Sequence, residues 1–401
     1  MVAASGPGRR TVLAGGLAAA GAGATACTAS PRGPADTRTA VPPSRTTVSF
    51  RGERQAGVVT PPQPFAAFVG LTLAKGADRD ACHRLMSVLT DDIERLMRGT
   101  APLTDLEPEL AAVPAGLTVT VGIGPGFYDA AGLRADRPPW LTPLPRFPID
   151  RLEERWGQAD VILQVCANSP VTVAHAQRRL IVGAQPIVRT AWVQRGFREP
   201  LTAQVPGMPF RNLFGQVDGT VQPSTTGADD ALIWLGEDAP RGLRGGSSMV
   251  IRRIAMKLDA WDRADRLARE NAIGRRLRDG APLTGGRPTD HPDLRAKDAL
   301  GFPVIDPASH TRRAMPADAQ ERILRRPYSY DDVPEDGADS DSGLLFVSYQ
   351  ADPVRQFLPI QRRLAEADLL NLWTVPVGSG VYAVLPGARD GEVLGQELLR
   401  A

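Results

Sequence analysis

The chain is poor in the residue types from which metal clusters and disulfide frameworks are built. In 401 residues it has three cysteines, Cys27, Cys82 and Cys166, and four histidines, His83, His175, His291 and His310. No two of them share the short spacing of a zinc site, and three scattered cysteines make no disulfide scaffold. A multi-histidine metal centre is not expected either. Lysine is nearly absent: Lys75, Lys257 and Lys297 stand among 47 basic residues, so arginine carries almost all the positive charge. Those arginines are scattered, and no basic stripe with interleaved aromatics forms. The net charge of +2 therefore gives no reason to expect a nucleic-acid surface.

A lasting membrane span is missing too. The one suggestive run, Thr11 to Ala26, is uncharged and made largely of Ala, Gly, Leu and Val, but it is shorter than the roughly 20 residues a bilayer-crossing helix needs. Arg9-Arg10 before it and small residues at its end give the pattern of an export signal of the twin-arginine type, a route that moves proteins already folded. Residues 1–27 are read as that signal segment, the twin-arginine export machinery as a partner, and the destination as extracytoplasmic. Cys27 follows Ala24-Thr25-Ala26. Cleavage near Ala26 is the preferred reading, and a lipid anchor through Cys27 is the alternative. Residues 28–63, dense in Pro, Thr, Ser, Arg and Gly, are expected to form a flexible linker.

What remains is long enough for two domains, and 42% hydrophobic residues suffice to bury them. Phe65 to Leu73 reads as a strand, and a helix follows with Leu85, Leu89, Ile93 and Leu96 near helical spacing and Gly99 as its stop. Strands are expected at Leu117 to Ile123, Val161 to Ala167 and Ile187 to Gln194, with a helix from Val171 to Val182. The second half repeats the order: a strand from Ser248 to Leu258, a helix from Trp261 to Arg278, strands from Gly343 to Gln350 and Ser379 to Leu385, and a helix from Val354 to Leu370 between those two. The predicted class is α+β, two tandem ferredoxin-like domains with antiparallel sheets, at residues 64–222 and 223–401. Between the second half's first helix and next strand lies an irregular stretch, 281–342, and loops of that length are usually functional or disordered.

The chemistry concentrates in two places. One is Arg211-Asn212-Leu213-Phe214-Gly215-Gln216-Val217-Asp218-Gly219-Thr220, a carboxylate flanked by glycines. The other is Asp306 to Tyr330, which holds His310 beside Arg312-Arg313 and an Arg325-Arg326 pair before Tyr328. Taken alone, Asp218-Gly219 is an ordinary turn pair, and Arg326 reads as a solvated neighbour of Arg325. A lone histidine can nonetheless serve an iron whose other four ligands come from a porphyrin. His83 and His175 read as surface or packing residues and His291 as solvated.

Three motifs in this order, Gly215-x-x-Asp218-Gly219-Thr220, His310-x-Arg312-Arg313-Ala314-x-Pro316 and Leu324-Arg325-Arg326-x-Tyr328-Ser329-Tyr330, resemble those of the dye-decolourising peroxidases. Gly343 to Gln350 and Gln361-Arg362-Arg363-Leu364 extend the resemblance, which runs from about Phe65 to Pro386. It is nearest the exported branch that includes the haem peroxidases of bacterial iron-uptake operons. The resemblance implies haem b, iron protoporphyrin IX, held mainly by the C-terminal domain. It makes His310 the proximal iron ligand, Asp218 the distal acid/base and Arg325 the distal arginine. Backbone groups of Gly219, Thr220 and Val221, and the turn at Met315 and Pro316, would lie against the haem, with Arg312 on a propionate. Asp368 is a candidate to hydrogen-bond His310. The sequence departs from the family at Met315, where Asn is usual, and at Pro327, where Gly is.

The implied reaction takes hydrogen peroxide and two equivalents of an organic one-electron donor, such as a dye or phenol, through an oxoferryl state. Peroxide needs a group that moves a proton between its oxygens, which Asp218 can be, and a fixed cation for the charge that develops, which Arg325 can be. The alternative is a deferrochelatase-like, haem-handling role in iron acquisition with incidental peroxidase turnover. Tyr349, Tyr382, Trp261 and Trp373 are read as core aromatics before electron relays. Homo-oligomerisation is left open.

Overall fold

The computed structural model describes residues 42–200, 210–334 and 340–400. The signal segment, Cys27 and the linker as far as residue 41 lie outside the described residues.

The first half follows the expected order of elements. Strands β1 (Phe65–Leu73), β2 (Thr118–Ile123), β3 (Val161–Ala167) and β4 (Val188–Phe197) alternate with the helices Arg79–Met97 and Pro170–Ala184. Asp78 caps the first helix by accepting from the Ala81 amide at 2.8 Å, and Ser169 caps the second ahead of a proline at its first turn. Leu85, Leu89, Ile93 and Leu96 lie on its buried face, as their spacing predicts. The second half carries β5 (Ser247–Met256), β6 (Leu324–Arg325), β7 (Tyr328–Asp332), β8 (Asp341–Gln350) and β9 (Thr374–Val384). Its expected first helix, Trp261 to Arg278, is instead two short ones, Leu258–Arg263 and Arg266–Ile273. Asp265 starts the second as an N-cap and Gly274, at φ +84°, ends it.

Every strand pairing is antiparallel. In the first half the order is β2-β3-β1-β4; in the second β7 pairs with β8, β8 with β5 and β5 with β9. The halves meet through β2 with β9, at Gly122↔Val384 and Ile123↔Ala383, and through β4 with β7, at Phe197↔Ser329. The strands thus run in a closed ring. This explains why β1 and β3 are largely apolar along their length: both of their faces are buried. Val69, Leu71, Leu163 and Val165 pack with the helices, while Ala66, Phe68, Ile162 and Cys166 face the ring interior with Tyr328, Tyr349 and Tyr382.

That interior holds polar groups, several of them paired with one another or with the backbone. Tyr349 Oη donates to Gln164 Oε1 at 2.8 Å, Gln164 Nε2 donates to the Gly57 carbonyl at 2.9 Å, and the Ala159 amide donates to Tyr382 Oη at 3.1 Å. Arg326 is buried here, donating to the Thr60 carbonyl and to Gln63 Oε1, so it is an internal strut and not the solvated residue its neighbours suggested. Cys82 and Cys166 are free and buried. Burial, with Asp78 and Asp160 nearby, pushes the Cys82 thiol up to about 12.

One expectation fails plainly. Residues 42–63 are not a loose linker: Phe50, Gln55, Val58 and Gln63 are buried. Gln55 accepts from the Val121 amide and donates to the Val121 and Leu385 carbonyls, each at 2.8 Å. Low apolar content misled because this arm is held by side-chain carboxamides that replace strand partners more than by hydrophobic burial.

Candidate functional site

The carboxylate motif folds as a tight loop. Arg211 and Val217 form an antiparallel bridge, and Asn212 Oδ1 accepts from the amides of Phe214 and Gln216 at 3.1 and 3.3 Å. Asp218 leaves this loop with its amide on the Phe210 carbonyl at 2.8 Å. Gly219 then takes φ +79°, which a side chain would resist, and turns its amide back to Asp218 Oδ1 at 2.6 Å. Arg325 Nη1 donates to the same oxygen at 3.0 Å, and Arg325 Nη2 to the Val221 carbonyl at 3.2 Å. Asp218 Oδ2 has no hydrogen bond among the described residues.

Arg325 sits on a strand of two residues, paired with Tyr349 and Ser348 on one side. Its other side is completed by Gln222, whose Oε1 accepts from the Arg325 amide and whose Nε2 donates to the Arg325 carbonyl, both at 2.9 Å. A primary carboxamide offers one donor and one acceptor as a peptide does, so Gln222 stands in for a missing strand. Sequence reading missed this residue; only its place four positions after Asp218 hinted at it.

His310 opens the short helix His310–Ala314. Its Nδ1 lies 2.6 Å from Asp368 Oδ2, while Asp368 Oδ1 accepts from the Leu370 amide at 2.9 Å. The Leu369 amide donates to the Ala308 carbonyl at 2.8 Å and locks the two segments together. Burial works against the imidazolium, but the Asp368 carboxylate outweighs it and holds the His310 pKa above its usual value. Nε2 carries no hydrogen bond among the described residues. Asp368, only a candidate from sequence, is therefore the partner of His310.

A cavity of about 290 Å³ joins these groups. Asp218, Gly219, Thr220, Val221, His310, Met315, Pro316 and Arg325 all line it, and its walls are otherwise largely apolar, with Ile254, Met256, Leu344, Phe346, Ile360 and Leu364. Arg363 fixes the Met315 turn by donating to the Met315 carbonyl at 3.0 Å and to Glu321 Oε2 at 2.8 Å. Arg312 does not face the cavity. Its Nη2 donates to the carbonyls of Leu294 and Ile305 at 2.8 and 2.7 Å, so its expected place on a propionate is not found. The reason is helical geometry: two residues after His310, Arg312 lies on a different side of the same turn.

One other group of possible metal donors exists among the described residues, Asp105, Glu107 and His175. His175 Nε2 already meets Asp105 Oδ2 at 2.8 Å, and Arg178 and Arg179 pair with Glu107 and Asp105. Those contacts account for the charges without an ion.

The donor set suits a haem. An imidazole with Nδ1 held by a carboxylate presents Nε2 as the ligand atom, and an apolar cavity suits the porphyrin. Comparison with known proteins agrees. Residues 55–198 match the family model described as Dyp-type peroxidase, N-terminal, and residues 210–389 match Dyp-type peroxidase, C-terminal. A Dye-decolorizing peroxidase of Thermobifida fusca is 37% identical over 359 residues, 86% of this chain and 83% of that protein. A Deferrochelatase of Yersinia pestis is 34% identical over 373 residues, 88% of this chain and 85% of that one. The crystal structure of a DyP-type peroxidase from Cellulomonas bogoriensis superposes with a TM-score of 0.88 at 54% identity, covering 90% of this chain and all of that one. The chain belongs to the Dyp-type peroxidase family and is a haem-dependent peroxidase.

Proposed function

We propose that the cavity holds haem b with His310 Nε2 on the iron, and that Asp218 and Arg325 serve the bound peroxide. The observation that carries this reading is the pairing of His310 Nδ1 with Asp368, which leaves Nε2 without a protein partner in the cavity that Asp218 and Arg325 also line. When bound, haem supplies the redox-active iron at which peroxide is reduced. Asp218 Oδ2 takes a proton from one peroxide oxygen and returns it to the other as the O–O bond breaks. Arg325, already turned toward the carboxylate, stabilises the negative charge on the departing oxygen. Two electrons from two donor molecules and two protons complete the conversion of one peroxide to two waters. Dyes and phenols are the proposed donor class, supported by the name of the Thermobifida fusca relative.

The test is an absorption spectrum of the purified protein before and after one equivalent of peroxide. A Soret band that shifts and returns on adding a phenolic donor fits the proposal; a colourless protein after expression with added haem ends it. The Deferrochelatase relatives support a second reading, haem handling in iron acquisition. Free protoporphyrin after incubation with haem would favour it, and donor oxidation without iron loss would favour the peroxidase.

We further infer that the two strand sets are ferredoxin-like units, supported by their order, in which β1 and β3 are central in the first half and β5 and β8 in the second, the two-residue β6 set aside. The haem falls to the C-terminal half, with the 210–222 loop counted in it, as the limits of the two matched segments suggest. Export by the twin-arginine route is proposed from Arg9-Arg10 and Thr11 to Ala26, and a periplasmic or secreted pool that vanishes on Arg9→Lys with Arg10→Lys tests it.

A further inference from the structure

Arg275 is a buried cation with no carboxylate partner among the described residues. It is 7% exposed and lines the cavity. Nη1 is spent on the carbonyls of Gly280 and Pro288, at 3.0 and 2.7 Å. The other edge of the guanidinium, Nε and Nη2, has no acceptor among the described residues. The backbone around it is fixed by a bridge to Pro282 and by the Leu283 amide on the Gly274 carbonyl. Gly274 packs so closely on the helix of the iron ligand that an added Cβ would meet Ser309 Oγ at 3.0 Å. Burial, with Arg325 nearby, holds the Arg275 pKa below the usual guanidinium value, the mark of a charge without its counter-ion.

None of the other buried arginines among the described residues combines the lack of a carboxylate partner with a place on the cavity wall. Arg252 pairs with Asp150 and Arg253 with Asp341. Arg326 gives both terminal nitrogens to protein acceptors and lies off the cavity.

We propose that the free Nε and Nη2 edge of Arg275 binds a carboxylate in the cavity, and that this carboxylate is a propionate of haem b. The inference rests on the reading of the cavity as the haem site. A planar guanidinium edge matches a carboxylate with two parallel hydrogen bonds, and the walls bring no acid of their own to it. A buried cation is costly unless paired throughout the working life of the protein. A resident cofactor pairs it continuously; a passing donor does not. Arg275 thereby takes the role that the sequence suggested for Arg312.

The experiment compares haem with its dimethyl ester, which lacks the two carboxylate charges, in the full-length protein. Affinity is read from Soret titration, and release from transfer to an excess of a haem-scavenging globin. The wild type should prefer the diacid, and Arg275→Leu should bind haem more weakly by roughly thirtyfold or more while binding the ester about as before. Arg275→Lys, which keeps the charge but loses the fork, should recover only part of the preference. An acid-to-ester ratio unchanged in both variants overturns the proposal, as does a wild type with no preference, an outcome independent of how the variants fold. An unchanged ratio with a raised KM for carboxylate donors also overturns it, because the edge then serves donors. A wild type that binds neither haem nor ester in the cavity sinks the haem reading itself and is thereby distinguished from failure of the Arg275 assignment.

Discussion

Two histidines in this molecule meet an aspartate, and only one of them is poised to bind anything. His175 Nε2 lies 2.8 Å from Asp105, and His310 Nδ1 lies 2.6 Å from Asp368. The His175 side chain is 2% exposed and its aspartate fully enclosed, with Arg179 beside the same carboxylate. The His310 side chain is 36% exposed, onto the cavity wall. The pair alone therefore says nothing of function. What separates the two is whether the ring's second nitrogen opens on a space with other chemistry in it.

The sharpest way to break the comparison is to remove each ring. His310→Ala is expected to abolish the Soret band, while His175→Ala should keep it and lose about 1–3 kcal/mol of stability, the cost of leaving Asp105 and its surroundings poorly satisfied. Equal haem occupancy in both variants would remove His310 from the iron. Next in size, Asp218→Asn should retain haem but slow the reaction with peroxide by about a hundredfold or more in stopped-flow spectra. A rate unchanged within error would discard the proton-transfer role. Asp368→Asn probes the carboxylate on the other side of the comparison. It keeps a hydrogen bond but not the charge, so haem affinity should fall by about 10–100-fold and the ferric/ferrous potential should rise. A potential that does not move would mean that Asp368 only props the loop. The smallest effect is expected of Gln222→Ala, which frees one edge of the Arg325 strand. Peroxide reactivity should fall by about tenfold, and the loss should disappear in an Arg325→Leu background if Gln222 acts through the arginine.

Much of the fold was legible because it follows simple periods. The helix Arg79–Met97 announces itself through Leu85, Leu89, Ile93 and Leu96, and β3 falls at the residues its apolar run marked. The break at Ala264 was not visible, since the residues on either side are good helix formers and only the Asp265 cap divides them. In the site, His310, Asp218 and Arg325 were legible from motif order, and the cavity unites them. Gln222 and Arg275 were not, because their roles depend on contacts spanning 103 residues in one case and on an unsatisfied edge in the other. Arg312 misled for the opposite reason: nearness in sequence to His310 does not put a side chain on the same face of the helix.

The arm from Phe50 to Gln63 has a consequence for how far the amino end can be shortened. The ring is thin where β2 meets β9, two residue pairs wide, and Gln55 staples that seam by bonding to Val121 and Leu385 together. A few residues on, Thr60 and Gln63 grip Arg326, the chain neighbour of Arg325. A protease that trims the amino end can therefore advance only to about Phe50 before it begins to unlace this junction between the halves and loosen the guanidinium beside Asp218. Carboxamides thus mark the limit of amino-terminal shortening that leaves the ring fastened.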